Sequence, residues 1–393
     1  MQTLTQSPTD DAFVQNPYPF YDRARAAGHL FHWKDYGLIC ATSAAAVGAI
    51  LRDRRFGREA PPESRKPIPE HLAPFYAVEA HSMLELEPPR HTRLRSLVLR
   101  AFTSRRIAAL APEIEALSNQ LVDAFPKGPF DLLRAFATRL PVTIIARLLG
   151  VPEERGDDLL AWSNAMVGMY QAGRTRETED KAVAATEAFV GFMRAYVEER
   201  RARPADDLIT HLIAAEEAGE KLTTDELITT CILLLNAGHE ATVHTIGNGV
   251  KSLLELGYGR SILYTDSIDR SVEEILRHDP PLHMFTRYAY EDIEISGHTF
   301  HRGDQVGCLL AAANRDPDAW EKPGRFDPSR PVKANLAFGA GLHFCVGAPL
   351  ARLELQIALP ILFTRCSDLR LAEKPRYANV FHFRGLERLM VTV

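Results

Sequence analysis

Apolar residues return every three to four positions over most of the chain, the spacing of helices with one buried face. It predicts helices over 19–27, 43–52, 90–103, 107–124, 132–149, 153–169, 180–200, 224–254 and 269–278, and one more from Ala348. The longest has a clear start: Thr223-Thr224-Asp225-Glu226 reads as a capping box. Strand patterns are shorter and fewer. Aromatic and β-branched residues around Asp35-Tyr36-Gly37 predict a hairpin over 29–41. Further strands are expected over 284–290, over 293–300 turned at Gly297, over 305–311 and within 381–393 around Gly385. The expected fold is mainly α with minor β-sheets, a single domain over 1–393 in which the polar residues 1–15 form a flexible tail. Residues 57–87 are Pro-rich and lack a period, and a loop of that length is usually functional or mobile. The polar stretch 172–179 joins two long helices and reads as a lid.

Composition narrows the class without naming it. The 393 residues are 46% hydrophobic and 25% charged, ordinary for a globular protein able to bury a core and a cofactor. A net charge of −5 gives no sign of nucleic-acid binding. The five cysteines are scattered, with no C-x-x-C, which excludes a disulfide framework or zinc module and fits a reducing compartment. The start, MQTLTQSPTDDAF, is not a signal peptide, and the longest aliphatic run, 231–235, is far short of the ~20 residues a bilayer span needs. A cytoplasmic protein without membrane attachment is expected.

Candidate chemistry centres on residues 338–347, FGAGLHFCVG. The glycines predict an irregular backbone, and Pro349 suits the first turn of the helix that follows. Cys345 would then precede a helix N-terminus, where N–H groups and the dipole favour a thiolate, a nucleophile or soft metal ligand. The plain alternative is a small buried hydrophobe. Elsewhere, His91 and Arg95 share a helix face that reads as solvated, and Glu274 and Arg277 read as an ordinary surface pair. Gly238, beside Glu240 in mid-helix, marks either a close approach to the backbone or a helix crossing. His239-Glu240 with His244 resembles H-E-x-x-H but is one residue too long. The histidines lie about 140° apart on a helix, so zinc is not expected.

Together these pieces resemble the cytochrome P-450 family, soluble bacterial type. FGAGLHFCVG meets every fixed position of that family's haem loop, F-x-x-G-x-[HR]-x-C-x-G. Glu274-Ile275-Leu276-Arg277 matches its E-x-x-R, Ala237-Gly238-His239-Glu240 its oxygen-activating helix, and residues 87–95 its early haem-contacting helix. The resemblance implies haem b, iron protoporphyrin IX, with Cys345 as axial ligand. It implies a cofactor-binding set of His91, Arg95, Ala237, Arg287, Phe338, Gly339, His343 and Gly347, and a buried structural pair in Glu274 and Arg277, with Asn314 and Arg315 in the surrounding meander. Gly238, Glu240, Ala241 and Thr242 would lie on the oxygen side. The family usually has threonine where this chain has Ala241; Thr242 is displaced by about 100° around the helix.

The implied activity is a monooxygenase that inserts one atom of O2 into a small-to-medium hydrophobic substrate, by hydroxylation or epoxidation. Electrons would come from a ferredoxin with its NAD(P)H reductase, docking near Arg90, Arg93 and Arg100, to an enzyme acting as a monomer. The implied pocket draws on residues 57–87, 162–170, 233–241, 282–286 and 381–383, with His283, Thr286 and His382 as its polar groups. A peroxide-driven peroxygenase and a non-catalytic haem-binding sensor are the alternatives.

Overall fold

A computed structural model describes residues 1–217, 222–264 and 266–393. Its axis is a helix of 32 residues, Thr224–Glu255. The capping box forms: the Glu226 N–H donates to the Thr223 hydroxyl at 3.2 Å, and the Thr223 N–H donates to the Glu226 carboxylate at 2.9 Å. Two of the N–H groups that a helix start leaves unpaired are thereby satisfied. Such length is sustained by burial rather than propensity. Around the helix pack Arg139–Leu149, Gly156–Val167, Arg176–Ala202, Ile268–His278 and Ala348–Arg365. Gly238 marks the crossing with Arg139–Leu149, since a Cβ there would lie 2.9 Å from Ile145 Cγ1. Of the two readings of Gly238, the helix crossing is the one observed.

The main sheet runs in the order Thr3–Leu4, Leu30–Trp33, Leu38–Ala41, Gln305–Leu309, Met284–Ala289, Phe56–Gly57. The predicted hairpin pairs Leu30 with Ala41 and Trp33 with Leu38. Its second strand lies parallel to Gln305–Leu309, with Ile39 opposite Val306, and Met284–Ala289 runs antiparallel on the far side. This pairing carries Arg287, opposite Val306, into the interior.

Several expectations need correction. Residues 1–15 are not a tail. Thr3–Leu4 adds a strand to the sheet, and Asp11–Gln15 is a helix capped by Asp10 that buries Phe13 among Phe20, Tyr21, Trp33 and Phe381. The polar composition hid one apolar anchor. The helix expected over 107–124 is two, Ser104–Ala109 and Ala111–Asp123, because Pro112 has no N–H to continue the first and suits the opening turn of the second. The helix expected over 132–149 opens with a π segment, Leu133–Ala137, closed by the Thr138 N–H on the Leu133 carbonyl at 2.8 Å. The supposed lid at 172–179 is partly helical, since Arg176–Ala202 starts at a Thr175 cap. Residues 57–87 contain the helix Ala73–Glu79. A further helix, Leu208–Glu217, was not anticipated. No helix among the described residues is long and apolar enough to cross a membrane.

Candidate functional site: an accessible thiol facing an internal space

The cysteine loop is shaped by its glycines. Gly339 and Gly341 adopt left-handed φ of 69° and 71°, and a side chain at 341 would run into the Leu51 carbonyl. The Cys345 N–H donates to the Phe338 carbonyl at 3.1 Å, folding the segment back on itself just before the helix Ala348–Arg365. Backbone N–H groups of Gly347 and Ala348 bond to the sulfur. Burial pushes the thiol up, while these two N–H groups and the guanidinium groups of Arg95 and Arg352 oppose the rise. Cys345 is nevertheless solvent-accessible. An accessible thiol bonded by backbone N–H groups is not a buried hydrophobe, so that reading fails.

A second accessible stripe runs along the central helix. Ala237 is exposed in mid-helix, and Leu233 and Ala241, one turn to either side, are partly so, with Glu240 and His244 beside them. Thr242 is buried, its side chain turned away from the stripe. Position 241 on this face therefore carries a methyl group rather than a hydroxyl, and the Thr245 hydroxyl one turn on is engaged with the Ala241 carbonyl at 2.7 Å. Glu240 is flanked by two imidazoles, His244 Nε2 at 3.2 Å from one carboxylate oxygen and His239 Nε2 at 3.7 Å from the other. Burial alone would raise its carboxyl, but the contact with His244 and the charge of that imidazole hold it below the usual range. The near-miss zinc motif thus has a different content: among the described residues no His, Cys, Asp and Glu cluster is arranged to hold a bare metal ion.

The residues present fit a porphyrin. A single thiolate holds iron firmly only when a macrocycle supplies the other ligands, and carboxylates on that macrocycle need cations and donors. Arg287 is 3% exposed, donates to the Thr286 carbonyl at 2.8 Å, and has no ion pair among the described residues. Burial pulls its pKa down to about 10, which still leaves it charged at neutral pH. Glu87 and Glu85 attract it only from a distance, and a buried cation without a direct ion pair is costly and fits a site for an anion. His91 is buried with Nδ1 unpartnered, and burial, with the charges of His343 and Arg95, lowers it to about 4. Neutral, it still has an N–H to offer. Arg95 donates to the Phe344 carbonyl at 2.6 Å, tying its helix to the cysteine loop. His91 and Arg95 are therefore not on a solvated face. His343 lies 4.4 Å from His91, ring centre to ring centre, but its Nε2 is 2.9 Å from Glu87, which leaves Nδ1 for any other partner. Glu87, not singled out in the sequence, also accepts from the Arg58 N–H at 2.7 Å.

Glu274 and Arg277 are joined by two hydrogen bonds of 2.7 Å, with side chains 2% and 1% exposed. Arg277 also donates to the carbonyls of Asn314, Pro323 and Arg325, and the Asn314 side chain accepts from the Leu336 N–H at 2.7 Å. The surface-pair reading is wrong. This pair organises the chain immediately upstream of Phe338, whose ring lies 4.6 Å beneath the Arg352 guanidinium.

Some expected pocket residues point elsewhere. His283 is fully buried against the Tyr21 hydroxyl, Trp162 packs on Phe189 and Phe192, and Phe381 belongs to the N-terminal aromatic cluster. Arg93 is paired with Glu226 of the capping box, and Arg90 donates to the Ala80 carbonyl at 2.8 Å.

Comparison with known proteins agrees with this geometry. The family model for cytochrome P450 matches residues 264–375. Over 395 residues the chain is 37% identical to the cytochrome P450 monooxygenase PikC of Streptomyces venezuelae, covering 96% of this chain and 91% of that one. It is 38% identical to the vitamin D(3) 25-hydroxylase of Pseudonocardia autotrophica, covering 97% and 94%. The crystal structure of P450BioI with an acyl carrier protein ligated to hexadec-9Z-enoic acid superposes with a TM-score of 0.92 at 35% identity, covering 98% of this chain and 100% of that one. A myxobacterial cytochrome P450 in complex with myristic acid gives 0.87 at 34% identity, covering 98% of each chain. The chain belongs to the cytochrome P450 family and is a haem-thiolate monooxygenase.

Proposed function

We propose that Cys345 is the axial ligand of haem b in this chain, and that the enzyme hydroxylates or epoxidises a small-to-medium hydrophobic molecule using O2. The electrons come from a ferredoxin and its NAD(P)H reductase, and the enzyme works in the cytoplasm. The observation that carries the reading is the solvent-accessible Cys345, its sulfur bonded by two backbone N–H groups in a loop matching the family's haem loop. When bound, a thiolate-ligated haem supplies the redox chemistry and favours O–O cleavage. The chain's own residues do the rest. Arg287, Arg95 and the neutral His91 hold the propionates, with His343 contributing through Nδ1. The N–H groups of Gly347 and Ala348 would stabilise the thiolate once iron takes the place of its proton. Ala237 and Ala241 leave room for small molecules beside the central helix, and the Glu240 carboxylate on that face passes protons on rather than storing one.

The apolar character proposed for the substrate is supported by the same surfaces. The accessible helix stripe is apolar at Leu233, Ala237 and Ala241. The relatives' named ligands, vitamin D(3), hexadecenoic acid and myristic acid, are likewise mostly hydrocarbon. Glu240 and His244 are the polar groups beside that stripe, while Tyr170 is engaged with Glu79 at 2.7 Å and Arg58 with Glu85. For electron delivery, Arg90 and Arg100 are exposed on the helix Arg90–Ala101 and suit an acidic partner. All five cysteines are free, in keeping with a reducing compartment.

The test is the absorption spectrum of the reduced, CO-bound protein, followed by turnover with ferredoxin and reductase. A thiolate signature that disappears in Cys345→Ser, with product formed at the expense of NAD(P)H, is expected. No such signature, or faster turnover with peroxide alone, would overturn the reading.

A further inference from the structure

The Glu240 carboxylate lies between two imidazoles, one within reach of each oxygen. The His239 Nδ1 lies 2.8 Å from the Leu235 carbonyl. A carbonyl accepts only, so Nδ1 carries the proton, and burial disfavours a second one on the ring. His239 Nε2 therefore offers a lone pair towards Glu240, suited to a protonated carboxyl. His244, one helical turn beyond Glu240, stands at 3.2 Å on the other oxygen, suited to donate to the ionised form. Both nitrogens of His244 are buried without an aligned hydrogen bond. An independent feature makes room for this ring. Gly385 has no left-handed φ, yet a Cβ there would fall inside the His244 imidazole. Glycine at 385 is explained by the space that His244 needs rather than by its backbone.

We infer that His244 is the proton donor that recharges Glu240, and that this imidazole–carboxylate pair takes the part of the hydroxyl missing at Ala241. In each cycle the Nε2–H bond of the His244 imidazolium breaks and a Glu240 O–H bond forms. The imidazole is left neutral and is reprotonated from water. His239 steadies the protonated Glu240 through its lone pair. Among the described residues, the other polar and charged side chains near His244 are engaged or turned elsewhere, except His382, whose Nε2 is also buried without a partner. From the C-terminal segment, Phe383 lies 6.2 Å from His244, ring centre to ring centre. Arg384 turns away to Asp279 at 2.7 Å and to the carbonyls of Val14 and Gln15. His382 stacks on Tyr36. From the other elements packed against this helix, the neighbours at Gly238 and Gly247 are Ile145, Leu133 and Leu386. The inference rests on the oxygen-side role of Glu240 proposed above.

Two variants test it in the full-length holoenzyme: His244→Asn, and His244→Phe, which fills the same space without a proton to give. The first readout is the infrared C–O stretch of the reduced CO-bound protein across pH. The band is expected to titrate in the parent, to stop titrating in Glu240→Gln, and to shift its midpoint in both His244 variants. The second readout is product formed per electron pair, expected to fall about tenfold or more in both variants, with peroxide released instead. Adding Ala241→Thr to His244→Asn should restore most of it, a rescue that a purely structural role would not give. An intact thiolate spectrum with unchanged titration and unchanged coupling in both variants would overturn the relay alone. Loss of the thiolate–CO band in the parent would overturn the functional reading beneath it.

Discussion

Arg287 carries a full charge into the interior, where it donates a hydrogen bond to a backbone carbonyl and no ion pair forms among the described residues. Replacing it with leucine is expected to improve the apoprotein's own electrostatics while weakening haem retention about tenfold or more, since a charge-assisted hydrogen bond contributes ~1.5–3 kcal/mol. Haem content after dialysis, measured beside thermal melting of the apoprotein, separates the two effects; equal haem retention would remove Arg287 from the propionate site. At Ala241 the side chain faces the accessible stripe while Thr242 does not. Ala241→Thr in the otherwise unchanged enzyme should alter the ratio of peroxide to product, and the same ratio across several substrates would deny position 241 that role. These residues were readable at different depths. The cysteine loop was legible because its glycines, histidine and thiol stand at fixed spacing. His244 was noticed only as part of a zinc motif that fails by one residue. What the spacing does predict, about 40° between residues four apart, places it beside Glu240. Glu87 left no such trace, because its partners come from the neighbourhood of residues 58 and 343, and only folding brings them together.

At the scale of elements, the helix Ile268–His278 matters for what it holds. Glu274→Gln leaves the Arg277 guanidinium buried without its carboxylate, and breaking such a pair costs on the order of 3–5 kcal/mol. The Asp327 N–H, which donates to Glu274 at 2.7 Å, loses its charged acceptor too. Lower melting of the apoprotein together with poorer haem uptake is the expected outcome; unchanged melting would return the pair to the surface class. Helix identity was legible wherever periodicity was long, and boundaries failed where one residue overruled it. Pro112 split one helix, and the extra residue of a π turn near Leu133 lies below what a 3.6-residue pattern resolves. The missed helix Leu208–Glu217 did leave a signal: Asp207 accepts from the Thr210 N–H at 2.7 Å ahead of apolar Leu208, Ile209, Leu212 and Ile213.

Across the whole molecule, the first fifteen residues join distant parts of the chain. Phe13 lies within ring-contact distance of Trp33 and Phe381, and the carbonyls of Val14 and Gln15 accept from Arg384, which also pairs with Asp279. Deleting residues 1–15 should therefore lower the melting temperature clearly. Burial of one large apolar side chain contributes about 1.5–3 kcal/mol, and Arg384 loses two acceptors besides. A truncated protein that melts like the full chain would show the segment to be dispensable. The sequence hid this because a mostly polar stretch with one aromatic residue reads as solvent-facing until its partners are known. The glycine at 385 has a consequence of a different kind. Because the His244 ring occupies the volume a side chain would take, these two positions are one unit of inheritance. Chimeras that graft the last segment of a relative onto this chain should fail wherever the donor brings more than a hydrogen atom to 385, unless 244 is exchanged with it.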